Sequence, residues 1–334
     1  MPATYCPDSQ GYPTLQLTHG ETSLSLYLPD VQNGWYRAAR FDWSSMMQQA
    51  TWRGHTFFGP FRNPHIPTSD ECSRGPSEEY SMGIDGHFVP MGWQNALDGG
   101  TFLKIGVGTL GWAPSWPGRA DDQYFFRVNY PIVDSGSWSW QADDSGVAIT
   151  HRVSHPMGWA YRLDKYIGID ADGQGFYVRR TLANVGSQPI LANHYSHNYF
   201  IIDSQPMDPD YELAVPFDLP PQHKYQGPLQ VQGRKIVFAQ PAIQQATWMG
   251  LLSAGVNDDL LASADNNRVT VRNRHAGAEV TVSCDRPMEK LCLYAESVAL
   301  CPEAFVILDV PAGEQTAWTT RYRFDALAAS GSEW

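Results

Sequence analysis

Histidine is the side chain whose ordinary pKa lies nearest neutrality, so a histidine held in an apolar frame is a candidate for moving protons at physiological pH. Two of them stand three residues apart in Asn193-His194-Tyr195-Ser196-His197-Asn198-Tyr199-Phe200. The aromatic run around them reads as a buried strand. Residues 180–190 before it read as a strand, a turn marked by Asn184, Gly186 and Pro189, and the start of a second strand. His197 is therefore expected on a sheet face. On a regular strand, positions i and i+3 point to opposite faces, so His194 and His197 are not expected to share a metal.

The elements that must position such residues are short and of β type. Leucine falls on every second position in Ser23-Leu24-Ser25-Leu26-Tyr27-Leu28, and the same period recurs at 102–108, 147–150, 176–182, 268–272 and 279–282. With 29 Gly and 24 Pro scattered between these runs, turns are frequent and long amphipathic helices are absent. An all-β chain follows: a large antiparallel β-sandwich, read as one domain over residues 1–334, with no repeat, low-complexity tract or linker to divide it. Residues 53–94, rich in Gly, Pro and His with no clean strand pattern, read as a long functional loop.

Composition excludes several classes of function. Aromatics at 13% supply a sizeable core, and disorder is not expected. The formal net charge of -12, without a Lys/Arg-rich run, repels phosphate backbones and anionic membranes, so neither nucleic acid nor a membrane is an expected partner. No stretch approaches the roughly 18 apolar residues of a spanning helix, and the first residues carry neither a basic nor an apolar leader pattern, so a cytoplasmic monomer or homodimer is expected. The five cysteines (Cys6, Cys72, Cys284, Cys292, Cys301) show no CxxC pair and read as free, buried thiols. No cofactor and no metal are expected, because Gly106-Val107-Gly108 lacks the third glycine and helix of a dinucleotide loop and no ligand-spaced cluster occurs.

Several stretches carry a resemblance in order along the chain. His197-Asn198-Tyr199-Phe200, following the Asn184-Val185-Gly186 turn, resembles the His-x-Tyr-Phe element of the galactose mutarotase (aldose 1-epimerase) superfamily. Residues 257–259 through 284–287 resemble the stretch with that superfamily's substrate-binding aspartate. Pro302-Glu303-Ala304, Pro311-Ala312-Gly313-Glu314 and Trp318 to Phe324 resemble its closing pattern. The resemblance covers most of residues 20–325, at the level of a divergent, uncharacterised branch. The superfamily's His-Gly-Gly motif is missing from the first third. Arg40-Phe41-Asp42-Trp43, Asn63-Pro64-His65 and Gly75-Pro76-Ser77-Glu78-Glu79-Tyr80 stand in its place, and the vacant role falls to His65 or Glu79.

Interconverting sugar anomers requires a base for the O1 hydroxyl proton and an acid for the ring oxygen, each transfer being worth about 10²- to 10⁴-fold. The resemblance assigns this chemistry to His197 as acid, partly protonated at neutral pH, and to Glu303 as base with Glu296 as the competing choice. The two groups are expected on opposite sides of the sugar. His65, Glu79, Arg40, Asn198 and Asp259 are the expected substrate-binding residues. Arg53 and Arg62 are further candidates for an acidic sugar, and Trp35, Trp43, Trp52, Trp93 and Trp112 are candidate stacking surfaces, most of them expected in the core. Two functions follow: a cofactor-independent mutarotase-like isomerase acting on a small carbohydrate, or a non-catalytic carbohydrate-binding protein on the same fold. A polysaccharide lyase or glycoside hydrolase is a more distant third.

Overall fold

The computed structural model describes residues 3–83, 87–114, 117, 118, 120, 122–220, 229–242 and 248–327. Alternating sequence becomes alternating burial wherever a strand has one covered face. In Thr22–Tyr27, Leu24 and Leu26 point inward and Ser23 and Ser25 outward; in Gln315–Ala326, Trp318, Thr320, Tyr322 and Phe324 are buried and their neighbours are not.

Two antiparallel sheets form the body. A ten-stranded sheet runs in the order Ser137–Ala142, Gly146–Ser154, Ala160–Ile169, Gly175–Asn184, Gln315–Ala326, Ala278–Cys284, Arg268–Asn273, Tyr211–Ala214, Lys235–Phe238, Leu229–Gln232. A five-stranded sheet, here the cleft sheet, runs Trp248–Leu251, Lys290–Glu296, Ala299–Val310, Ile190–His197, Ser77–Tyr80. Phe176 and Tyr322 of the large sheet stack at 4.5 Å, both meet Phe58 edge-on, and join Phe200 and Leu291, Leu293 and Leu300 of the cleft sheet in one core cluster. A smaller five-stranded sheet from residues 4–56 and a three-stranded sheet from residues 101–134 complete the β structure. The fold is a large antiparallel β-sandwich. Among the described residues no helix is long and apolar enough to cross a membrane.

Residues 180–190 hold the end of one strand, a turn and the start of a second strand, and the turn carries the chain from the large sheet into the cleft sheet. Two other local readings change. Residues 102–108 are two short strands, Thr101–Lys104 and Gly108–Gly111, folded at Gly106, whose φ of 79° favours glycine and whose added Cβ would lie 2.6 Å from that of Asp42. Residues 53–94 are not all loop: they contribute strand Ser77–Tyr80, the edge of the cleft sheet. The cysteines are free, with Cys72 and Cys301 buried and Cys6 exposed.

Candidate active site

Strands Ile190–His197 and Ala299–Val310 pair antiparallel with His194 opposite Val306. Carried three residues further, that register sets His197 opposite Glu303, and the two side chains meet with Nε2 and Oε1 3.2 Å apart. Both are almost fully buried, and both line a cavity of about 830 Å³. Tyr199, two residues beyond His197, has a φ of 46°, an uncommon backbone state for a residue with a side chain. Its ring stacks on the imidazole at 4.2 Å, while Phe41 and Phe61 approach at 6.0 and 5.9 Å. The imidazole orientation is thus packed into place.

That packing decides where the proton resides. Burial pushes the Glu303 carboxyl up to about 8, with Arg40 opposing and Glu79 adding to the rise. Burial, together with the charges of Arg40 and Arg62, holds the His197 imidazole well below its ordinary range. At neutral pH the proton therefore sits on Glu303, and His197 is neutral. This reverses the expected protonation, in which the histidine was the charged acid. The two groups also touch each other instead of facing across a sugar. His197 Nδ1 is buried without a hydrogen-bond partner among the described residues.

Behind the pair lies a group of charges. Arg40 Nε donates to Glu79 Oε2 at 3.0 Å, Lys104 Nζ donates to Glu79 Oε1 at 2.9 Å and to Tyr124 Oη at 2.7 Å, and Tyr195 Oη donates to Glu79 Oε2 at 2.6 Å. Burial disfavours the ionised Glu79 carboxyl, but Lys104 and Arg40 outweigh it and hold its pKa below the usual carboxylate range. The Arg40 guanidinium lies between the rings of Phe41 and Phe126, at 4.3 and 4.4 Å, and reaches the cavity wall. Glu79 does not: it holds Arg40 from behind.

Glu296 also lines the cavity. Arg62 grips it with two nitrogens, Nη1 to Oε1 at 2.8 Å and Nη2 to Oε2 at 3.3 Å, and Tyr294 Oη donates to Oε2 at 2.8 Å. Arg62 in turn lies over Phe61 at 3.5 Å. Among the described residues Glu303 has no such clamp, and of the two carboxyls it is the one in contact with the histidine.

Besides Glu79, three expected substrate-binding residues stand away from this cavity. His65 stacks on Trp35 at 3.9 Å and bonds through Nε2 to the Trp35 carbonyl at 2.8 Å, a structural packing role. Asn198, next to His197, points to the opposite face, where Nδ2 donates to the Pro302 carbonyl at 2.8 Å and Oδ1 accepts from Tyr322 at 2.9 Å. Asp259 is exposed on the short helix Asp258–Leu261, its N–H capped by Asn257. Arg53 pairs with Glu21 at the surface. Trp35, Trp43, Trp52 and Trp93 are core residues. The aromatic wall of the cavity is instead Phe61, Phe126, Tyr294 and Phe305. Tyr195, which shares the His197 face, was within reach of period-two reasoning; Lys104, Tyr294 and Phe126 come from distant segments and carry no local signal. Among the described residues no group of three or more His, Cys, Asp or Glu is placed to hold a metal ion.

No family model and no curated protein matches the chain. Solved structures do. A galactose mutarotase-like protein from Clostridium acetobutylicum superposes with a TM-score of 0.55 at 9% identity, covering 97% of this chain and 98% of that one. A protein from Synechocystis sp. gives 0.54 at 14% identity, with 97% and 98% covered. A putative aldose 1-epimerase from Escherichia coli K12 gives 0.50 at 12% identity, with 93% and 98% covered. The chain has the galactose mutarotase-like fold. Identities this low reach the fold alone, so the chemistry of this mutarotase-like sandwich has to be argued from its own cavity.

Proposed function

We propose that the cavity binds a monosaccharide and that Glu303 and His197 interconvert its anomers. The observation that carries this reading is the contact between a protonated carboxyl and a neutral imidazole, 3.2 Å apart in a cavity roomy enough for a pyranose. The ring oxygen and the O1 hydroxyl of a pyranose are both bonded to C1, so an adjacent acid and base can serve them together. Glu303 gives its proton to the ring oxygen as the C1–O5 bond breaks, and His197 accepts the O1 proton as C1 becomes a carbonyl. After rotation about C1–C2 the transfers run backwards: the Glu303 carboxylate takes the O5 proton, O5 attacks C1, and His197 returns its proton to O1. The catalyst ends as it began. Between the halves the pair is carboxylate and imidazolium, each stabilising the other. Arg62 keeps Glu296 engaged and out of this exchange. Phe61 and Tyr294 line the cavity as apolar surface for the sugar's C–H groups.

Exchange NMR on a panel of aldoses and uronic acids tests the reading. The parent protein is expected to accelerate anomer exchange of at least one sugar, with His197→Ala and Glu303→Gln each losing about 10²-fold or more. Binding of sugars with no acceleration of any would replace the isomerase with a non-catalytic carbohydrate-binding protein.

A further inference from the structure

Resting on that reading, a further property of the same cavity concerns charge. Arg40 and Lys104 are both buried, and the carboxylate hydrogen-bonded to both is Glu79. Two cations share one hydrogen-bonded carboxylate, in a chain whose overall charge is -12. The other carboxyls that feel Arg40, Asp70 and Glu303, are both pushed towards the protonated form by burial, and buried charge without a counter-charge is costly. Arg40 is also incompletely used. Nε serves Glu79 and Nη2 reaches Tyr195 at 3.4 Å, while Nη1 has no hydrogen-bond partner among the described residues. Its plane is fixed by the Phe41 and Phe126 rings. A rigid guanidinium with donor capacity to spare, at the wall of a cavity, is a receptor for a planar anion.

We propose that the substrate of this cavity is a uronic acid, its carboxylate docked on Arg40. The position of the anion follows from the chemistry. Arg40 stands beside Tyr195, which shares its strand face with His197. The anion must therefore lie close to the atoms that exchange protons, C1, O1 and the ring oxygen. A uronic acid carries its carboxylate on C5, the other carbon bonded to the ring oxygen. A phosphate on O6 places its charge farther out, and a phosphate on O1 removes the hydroxyl that has to ionise. Docking there also supplies the negative charge that the Arg40, Glu79 and Lys104 group lacks, while Glu303 keeps its proton for the ring oxygen.

The test compares glucuronate and galacturonate with their neutral C6 amides, alongside glucose 6-phosphate, by exchange NMR. The expected result is a kcat/KM for a uronate about 10- to 100-fold above that of its amide, the range of a charge-assisted bidentate contact. In Arg40→Met the ratio is expected to fall towards one; because that variant also strips Glu79 of a partner, the uronate-to-amide ratio of the unmutated protein carries the decision. Equal rates for uronate and amide would overturn the carboxylate while leaving the isomerase intact, as would a preference for the phosphate. If no sugar is accelerated, the isomerase falls, and chemical-shift titration decides the remaining question. Tighter binding of the uronate than of its amide supports the Arg40 site, and equal binding overturns it.

Discussion

Glu78 and Glu79 are neighbours in the chain and point into two different buried charge clusters. Strand Ser77–Tyr80 sends Glu79 to Arg40 and Lys104 beneath the cavity, and Glu78 to the opposite face. There Arg180 binds it through Nε at 2.7 Å and Nη2 at 2.8 Å, Lys165 lies 3.0 Å away, and His194 is at 3.2 Å. One dipeptide thus ties the cavity floor to the interior of the sandwich.

Glu79→Gln should leave Arg40 and Lys104 without their hydrogen-bonded counter-charge and cost about 3–5 kcal/mol of stability, as breakage of a buried pair does. Urea unfolding of the variant beside the parent measures this. A loss below about 1 kcal/mol would mean that water or a rearranged side chain reaches the cluster.

Gly75→Ala tests whether the turn before that strand is as tight as it looks. An added Cβ would overlap the Asn198 carbonyl oxygen, one residue from His197. The edge strand should be pushed from its neighbour, lowering the melting temperature and disturbing Arg40 through Glu79. An unchanged melting temperature would show that the backbone yields at little cost.

The pH dependence of anomer exchange follows from Glu303. Its proton is required on the enzyme and leaves with a pKa of about 8, so kcat/KM should fall as pH rises through about 8. Activity that rises through this range would assign the acid role elsewhere. Comparing Glu296→Gln with Glu303→Gln separates the two carboxyls: the first is expected to keep exchange and the second to lose it, and the opposite outcome would make Glu296 the working group.

Acid should destabilise the fold through its buried histidines. Burial brings His151 down to about 3 and His194 down to about 4, and also lowers His197, whereas each titrates near 6.5 when unfolded. Below 6.5 the unfolded chain binds more protons than the native one, so the stability these residues contribute is present above 6.5 and is lost as pH falls towards their folded values. Glu303, Asp70 and Asp170 act in the other direction, their folded pKa values lying above the unfolded ones, but His65 and His155 are lowered as well and add to the histidine side. Urea midpoints at pH 7 and pH 5 should differ in favour of pH 7. Because His151 makes its bonds to Ser135 and Tyr161 as a neutral ring stacked on Trp138, His151→Gln should shrink that difference.

The architecture was legible in the chain because period-two hydrophobicity is a local property: Leu24 with Leu26, Val269 with Val271, and Tyr322 with Phe324 each declare a covered face without reference to any other segment. The position of His197 on a strand, and the resemblance running through Glu303 to the last strand, were legible for the same reason. What the tertiary structure decided was contact and charge. The cross-strand register set His197 against Glu303, the pleat turned Asn198 away from the cavity, and packing on Trp35 took His65 out of it. Burial moved the proton from the imidazole to the carboxyl. Arg40, Glu79 and Lys104 are separated by up to 64 positions, and no spacing rule links them. A side chain's neighbours along the sequence fix its face of a strand, whereas its protonation depends on the solvent and charges that distant segments exclude or deliver.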